Sequence, residues 1–178
     1  MHILLIDNND SFTRNLEHLL VSAIAGASVV VEPYASLPTL NHAAPDLLVI
    51  SPGPGKPEDY PGYGRVFESG KPVLGVCLGM QIMNEHFGGS TGRLEGCVHG
   101  KTDFIVWQGS KQCVARYHSL YATSVGKDLD LLATNDAGVP MVIGNAEKRV
   151  LGYQFHPESF MTENGEAFIA DACSYLSL

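Results

Sequence analysis

The sequence predicts an α/β fold: an open, mostly parallel sheet with helices on both faces and an antiparallel extension. Three observations predict it. Short apolar runs alternate with helical patterns through the first half, the pattern changes between residues 102 and 155 to short turn-separated apolar segments, and a helical stretch closes the chain. Strand–helix alternation joins parallel neighbours by crossovers, whereas closely spaced strands join as hairpins.

Ile3–Ile6 reads as a buried strand. Asp10 or Ser11 then caps a helix running to about Ala25, in which Phe12, Leu16, Leu19 and Leu20 recur at helical spacing. Val29–Val31 is a second strand and Asp46–Ile50 a third, followed by the turn-rich SPGPGKP. Val73–Val76 is a fourth strand and enters a helix of roughly Gly79 to Phe87, stopped by Gly88-Gly89. DFIVW, CVARY and VPMVIG read as hairpin strands. RVLGYQF is a last strand before a helix from about Asn164 to Leu176. Ligands of such sheets bind beyond the carboxyl ends of the strands. Asp7, Ser51–Gly55, Cys77 and His156 all fall at such ends.

At 178 residues the chain is most economically one domain, 1–178. With 45% hydrophobic and 17% charged residues it is globular rather than disordered, and a formal charge of −8 without any Lys/Arg-rich run argues against a nucleic-acid partner. MHILLID lacks the basic start of a signal peptide, and no apolar stretch is long enough to cross a membrane. Cys77, Cys97, Cys113 and Cys173 are scattered without CxxC pairing, which suits a reducing cytoplasm. A zinc reading of Cys97, His99, Cys113 and His118 lacks standard ligand spacing, so neither metal nor cofactor is expected.

Cys77 lies where a buried strand turns into a helix, with Gly75 and Gly79 on either side. Such an elbow exposes a nucleophile beside a helix N-terminus, whose partial positive charge favours thiolate. On this stretch alone, a core-filling cysteine is an equal reading. In GYQFHPES, His156 follows an apolar strand and Glu158 lies two residues on, so both side chains of an extended backbone share one face. A carboxylate there orients an imidazole and stabilises its protonated form. In SPGPGKP, Gly53 and Gly55 let a substrate reach the backbone, and amides of Gly53 and Leu78 fit an oxyanion hole. A phosphate cradle would need the Gly-Lys-Ser/Thr ending, which is missing.

LLIDNNDSFTRNL, SPGPGKP, GVCLGMQ, VHGKT, RYHSL and QFHPES, in this order over nearly the whole chain, resemble the class I (triad) glutamine amidotransferases, whose core is flavodoxin-like. Among these, the chain is most similar to the small glutaminase subunits of anthranilate and aminodeoxychorismate synthases. The resemblance implies hydrolysis of L-glutamine to glutamate and ammonia, with Cys77 as nucleophile, His156 as acid/base and Glu158 as its orienting partner. It implies oxyanion amides from Gly53 and Leu78, and binding of the glutamine ends by Gly53, Gly55, Gln81, Ser119 and Leu120. A chorismate-binding synthase large subunit would be the partner, met by Asn8, Asp10, Ser11, Phe12, Thr13, His99, Gly100 and Lys101.

Met80 departs from the histidine usual in chorismate-linked subunits, Arg14 replaces an aromatic residue, and IGNAEKR lacks an arginine–histidine pair. Guanylate, cytidylate and imidazole-glycerol amidotransferases use the same triad and remain alternatives. So does a non-catalytic receiver-like domain, suggested by the acidic strand end ILLIDNND, although the antiparallel half and Cys77 have no place in that reading.

Overall fold

The computed structural model describes residues 1–94 and 100–178. In chain order the elements are β1 (His2–Asp7), α1 (Thr13–Ala23), β2 (Ser28–Pro33), β3 (Leu47–Ile50), α2 (Gly64–Phe67), β4 (Val73–Val76), α3 (Leu78–His86), β5 (Ser90–Arg93), β6 (Lys101–Trp107), β7 (Ser110–Arg116), β8 (Leu120–Ser124), β9 (Asp130–Thr134), β10 (Pro140–Asn145), β11 (Val150–Tyr153) and α4 (Gly165–Tyr175). A seven-stranded sheet runs β2-β1-β3-β4-β11-β10-β9. Its first five strands are parallel, and β10 and β9 complete it antiparallel. Two antiparallel ribbons, β5–β8 and β6–β7, stand outside it.

The pleat sorts the strand residues between two cores. Ile3, Leu5, Leu47, Val49, Leu74, Val76, Leu151 and Tyr153 pack under Leu16 and Leu20 of α1 and Phe168 and Ile169 of α4. Leu4, Ile6, Leu48, Ile50, Val73 and Val150 face Val66 of α2 and Leu78, Met80, Ile82 and Met83 of α3. The expected two-faced α/β architecture is therefore present. β3, β4 and β11 are buried at every residue, which explains why they read as unbroken apolar runs.

Several boundaries differ from the sequence reading. Helix α1 starts at Thr13, because the Asp10 carboxylate accepts from the Phe12 amide (2.7 Å) in a turn of its own, while the Thr13 hydroxyl donates to Asp7 (2.7 Å). The last strand stops at Tyr153, although the Gln154 amide still donates to the Met141 carbonyl of β10 (2.9 Å). Strands β5, β8 and β9 carry little apolar patterning and escaped the sequence reading. Among the described residues no helix is long and apolar enough to cross a membrane.

One topological fact positions the chemistry. β4 and β11 are distant in sequence but adjacent and parallel in the sheet, with Tyr153 opposite Val76. The segments that follow them therefore emerge side by side at the same carboxyl edge.

Candidate active site

Cys77 occupies the single residue between β4 and α3, at φ 53° and ψ −103°. This is the left-handed side of backbone space, a strain of about 1–3 kcal/mol that surrounding structure must hold. The Cys77 amide donates to the Tyr153 carbonyl (2.7 Å) and the Cys77 carbonyl accepts from the Gln81 amide (3.1 Å). The flanking glycines make the turn sterically feasible. A Cβ on Gly75 would lie 2.6 Å from the Gly79 carbonyl, and one on Gly79 would lie 2.3 Å from the Ile50 carbonyl oxygen. The helix thus rests directly on the strand ends, and the sulfur is held at the lip of the sheet.

The neighbouring strand end carries a buried histidine–carboxylate pair. His156 Nδ1 lies 2.6 Å from Glu158 Oε1, and both side chains are almost wholly buried. The His156 amide donates to the Ala115 carbonyl (3.1 Å), and its carbonyl accepts from the Thr162 hydroxyl (2.6 Å). Tyr117 and Phe12 set ring edges against the imidazole, with centroids 5.0 and 5.6 Å away. Burial opposes the charged imidazolium. The negative charge and hydrogen bonding of Cys77, reinforced by Glu158, outweigh that penalty and raise the His156 pKa well above the ordinary histidine value. Nε2 meets no hydrogen-bond partner of ideal geometry among the described residues. Catalytic contacts of this kind are commonly loose before substrate arrives.

In front of Cys77 lies a pocket of about 280 Å³, lined by Gly53, Pro54, Gly55, Cys77, Leu78, Gln81, Tyr117, His118, Ser119 and Leu120. All the residues expected at the oxyanion and substrate positions line it. Neither the Gly53 nor the Leu78 amide donates to another described residue, so both are free to receive an oxyanion. A side chain on Gly53 would strike Asn8 Cβ and Leu78 Cδ2, each at 2.7 Å. A hollow of about 330 Å³ beside Tyr34, Leu37, Pro61 and Arg65 is lined by no cysteine and no histidine.

Residues 4–174 match the family described as Glutamine amidotransferase class-I. The chain belongs to that family. It is 36% identical to anthranilate synthase component 2 of Helicobacter pylori, over 99% of this chain and 98% of the relative. It is 38% identical to an aminodeoxychorismate synthase of Streptomyces griseus, over 96% of this chain but 25% of that longer protein. A crystal structure assigned to one subunit of a GMP synthase from Thermoplasma acidophilum superposes with a TM-score of 0.83 at 20% identity, covering 99% of this chain and 94% of the other, and so shares the fold. The protein is an enzyme of the glutamine amidotransferase type.

Within this amidotransferase the residues expected to meet a partner divide. Asn8 and Thr13 are buried, at 0% and 2% exposure, and so act inside the chain rather than on its surface. Asn8 clamps the loop that carries Gly53. Its amide donates to Ser51 Oγ (2.9 Å), its Nδ2 to the Ser51 carbonyl (3.0 Å), and its two oxygens accept from the Tyr60 and Tyr63 hydroxyls (3.1 and 2.5 Å). Asp10 and Phe12 are half-buried, Ser11, Gly100 and Lys101 are exposed, and His99 lies outside the described residues. Phe12 packs on Tyr117 with centroids 5.2 Å apart, and Gly100 abuts the same tyrosine, so the two segments flank one side of the pocket mouth.

Three buried residues, Gln154, His118 and Asn8, have structural roles here that the sequence reading did not assign. Gln154 is adjacent to the HxE motif, a signal that was available. The zinc reading finds His118 already engaged, by the Leu120 carbonyl at 2.8 Å and Arg116 Nε at 3.0 Å. Met80 is fully buried and packs against Gly152 of β11, outside the pocket lining, so the departure from histidine leaves the pocket wall unchanged. Arg14 is exposed and pairs with Glu17.

Proposed function

We propose that this protein is the glutaminase subunit of a chorismate-aminating synthase, hydrolysing L-glutamine through Cys77, His156 and Glu158 and delivering the ammonia to the synthase. The observation that carries the reading is the Cys77 elbow, opening on the pocket beside a buried histidine–carboxylate pair.

The Cys77 thiolate attacks the side-chain amide carbon of glutamine, and the carbonyl electrons move onto an oxyanion received by the Gly53 and Leu78 amides. One such donor is worth about 3–4 kcal/mol in the transition state. His156 then gives its proton to the departing nitrogen, and ammonia leaves a γ-glutamyl thioester. The neutral imidazole next takes a proton from water, hydroxide attacks the thioester, and collapse expels the thiolate with glutamate. Glu158 accepts from Nδ1 throughout, which keeps Nε2 directed at the reacting atoms. Gln81 spends both Nε2 hydrogens on Leu120 and Gln154, leaving its acceptor Oε1 as the group suited to an α-ammonium. Gly53, Gly55, Ser119 and Leu120 complete the substrate cradle.

Ammonia must travel unprotonated to act as a nucleophile, which calls for an acceptor enzyme seated over the pocket mouth. The exposure of Ser11, Gly100 and Lys101 and the half-buried Phe12 support that contact, and Phe160, at 92% exposure two residues beyond Glu158, would offer an aromatic anchor. The names of the two relatives support a chorismate-binding large subunit as the partner. The free thiols of Cys77, Cys113 and Cys173 suit a cytoplasmic setting.

Replacing Cys77 with Ala is expected to reduce glutamine hydrolysis to background while circular dichroism stays unchanged. Turnover at the wild-type rate would reject the scheme. Adding the chorismate-binding subunit should stimulate the wild-type glutaminase and yield an aminated chorismate product. Full glutaminase activity that is indifferent to that subunit would reject the assignment of partner.

A further inference from the structure

Gln154 is fully buried at the start of the segment after β11 and does not line the substrate pocket. Its Nε2 stands 3.7 Å from Cys77 Sγ. A carboxamide can be turned end for end, so such a contact means little unless the orientation is imposed. Here it is imposed, link by link, from the far side of the pocket.

Arg116 is a donor only, and its Nε meets His118 Nε2 at 3.0 Å, so that ring nitrogen must accept. The ring proton is therefore on Nδ1, which donates to the Leu120 carbonyl at 2.8 Å. The same carbonyl, an acceptor only, takes a second bond from Gln81 at 3.0 Å, which must come from its NH2 group. The second hydrogen of that NH2 points at Gln154, 3.2 Å away, and needs an oxygen there. With Oε1 of Gln154 so engaged, its NH2 is turned onto the sulfur.

We infer that Gln154 is a catalytic hydrogen-bond donor to the Cys77 sulfur, held in that orientation by the chain Arg116–His118–Leu120 carbonyl–Gln81. Arg116, His118 and Gln81 are positioning residues for this purpose. The donor favours charge on sulfur at two moments: before attack, when thiolate must form, and at deacylation, when the tetrahedral adduct must expel it. The inference rests on Cys77 being the nucleophile. It adds that the pocket wall which holds the substrate also sets the polarity of the group behind the sulfur.

The test compares Gln154→Met and Gln154→Glu with wild type, by glutamine hydrolysis and by the rate of Cys77 alkylation with iodoacetamide at one fixed pH. One hydrogen bond to a charged group corresponds to about 10–100-fold. Gln154→Met should lose roughly that factor in both kcat and alkylation with KM changed by less than about twofold, and Gln154→Glu, which sets an acceptor against the sulfur, should lose more. Gln81→Met should lower kcat and raise KM together, because Gln81 also borders the pocket. Wild-type kcat and alkylation in a folded Gln154→Met would overturn the inference. If that variant fails to fold, nuclear magnetic resonance of the wild-type side-chain amides decides. The Gln154 NH2 signals should move when Cys77 is alkylated, and signals that stay in place overturn the inference. Hydrolysis persisting in Cys77→Ala would instead defeat the triad reading, whatever Gln154 does.

Discussion

His156 and His118 stand beside the same pocket, both buried, close enough that the charge of His156 helps lower His118, and they hold their protons in opposite ways. For both, burial is the largest influence and works against the charged form. At the β11 end, the imidazole meets the Cys77 sulfur and the Glu158 carboxylate, and those negative partners reverse the effect. In the β7–β8 connection, the neighbour is the Arg116 guanidinium, and burial and repulsion together push His118 down to about 4. The same side chain therefore holds its proton more tightly than usual in one place, which suits the proton carrier of the proposed scheme, and stays neutral in the other. Burial alone assigns neither role. The sign of the adjacent charge does.

The largest effect is expected from erasing the proton carrier. In the proposed scheme His156→Asn removes the group that protonates the leaving nitrogen and activates water, worth about 10²–10⁴-fold for a positioned acid/base. Steady-state kinetics should show kcat falling by that order while KM for glutamine changes little, because His156 does not line the substrate pocket. Equal activity in wild type and variant would make His156 no different in kind from His118.

The two histidines also mark what can be read from sequence. HxE after an apolar strand pointed to the pairing through a shared face of an extended chain, but the structure makes it in a turn beyond β11, where the Ser159 amide donates to the His156 carbonyl (3.2 Å). The elbow around Cys77 was equally legible, since Gly75 and Gly79 have no reason to be glycine except the close approach that the structure contains. His118 was not. Its partners Arg116 and Leu120 are near in sequence, but their convergence depends on the turn out of β7 and on the ion pair between Arg116 and Asp103 of β6. Asn8 was misplaced for a related reason. A polar residue in a loop at a strand end reads as surface, and only the long-range tyrosines 60 and 63 make it an internal clamp. Strands β5, β8 and β9 were missed because edge and ribbon strands need not alternate. What was legible was local, and what was hidden depended on contacts between segments far apart in the chain.

Opposite proton affinities imply opposite pH dependence of stability, the second expected effect. For His118 the unfolded value is about 6.5 and the folded value about 4. Between these the unfolded chain binds the extra proton, so stability falls as pH drops through that window, by about 3 kcal/mol in all. His156 has the reverse sign. Its raised folded value contributes stability that is fully present below pH 6.5 and is lost as pH rises through the folded value. Urea unfolding of His118→Asn between pH 6.5 and 4 should show a flatter decline than wild type. An unchanged slope would mean that His118 takes up its proton equally in the folded and the unfolded chain.

The smallest effect comes from weakening the carboxylate that sets His156 apart. Glu158→Gln preserves shape and leaves an oxygen that can accept from Nδ1, so ring orientation survives while the charge is lost. A charge-assisted bond is about twice as strong as a neutral one, which puts the loss near 1–2 kcal/mol and the fall in kcat near tenfold. The direction of the pH profile is the more telling readout. Without the negative partner, the folded pKa of His156 moves down, so the alkaline limb of kcat, where the proton needed by the leaving nitrogen is lost, should move to lower pH. Cys77 still faces the ring, so the shift is partial, and His156 stays more easily protonated than His118. Should the limb hold its position, the sulfur alone maintains the imidazolium, and Glu158 acts on the ring's orientation rather than its charge.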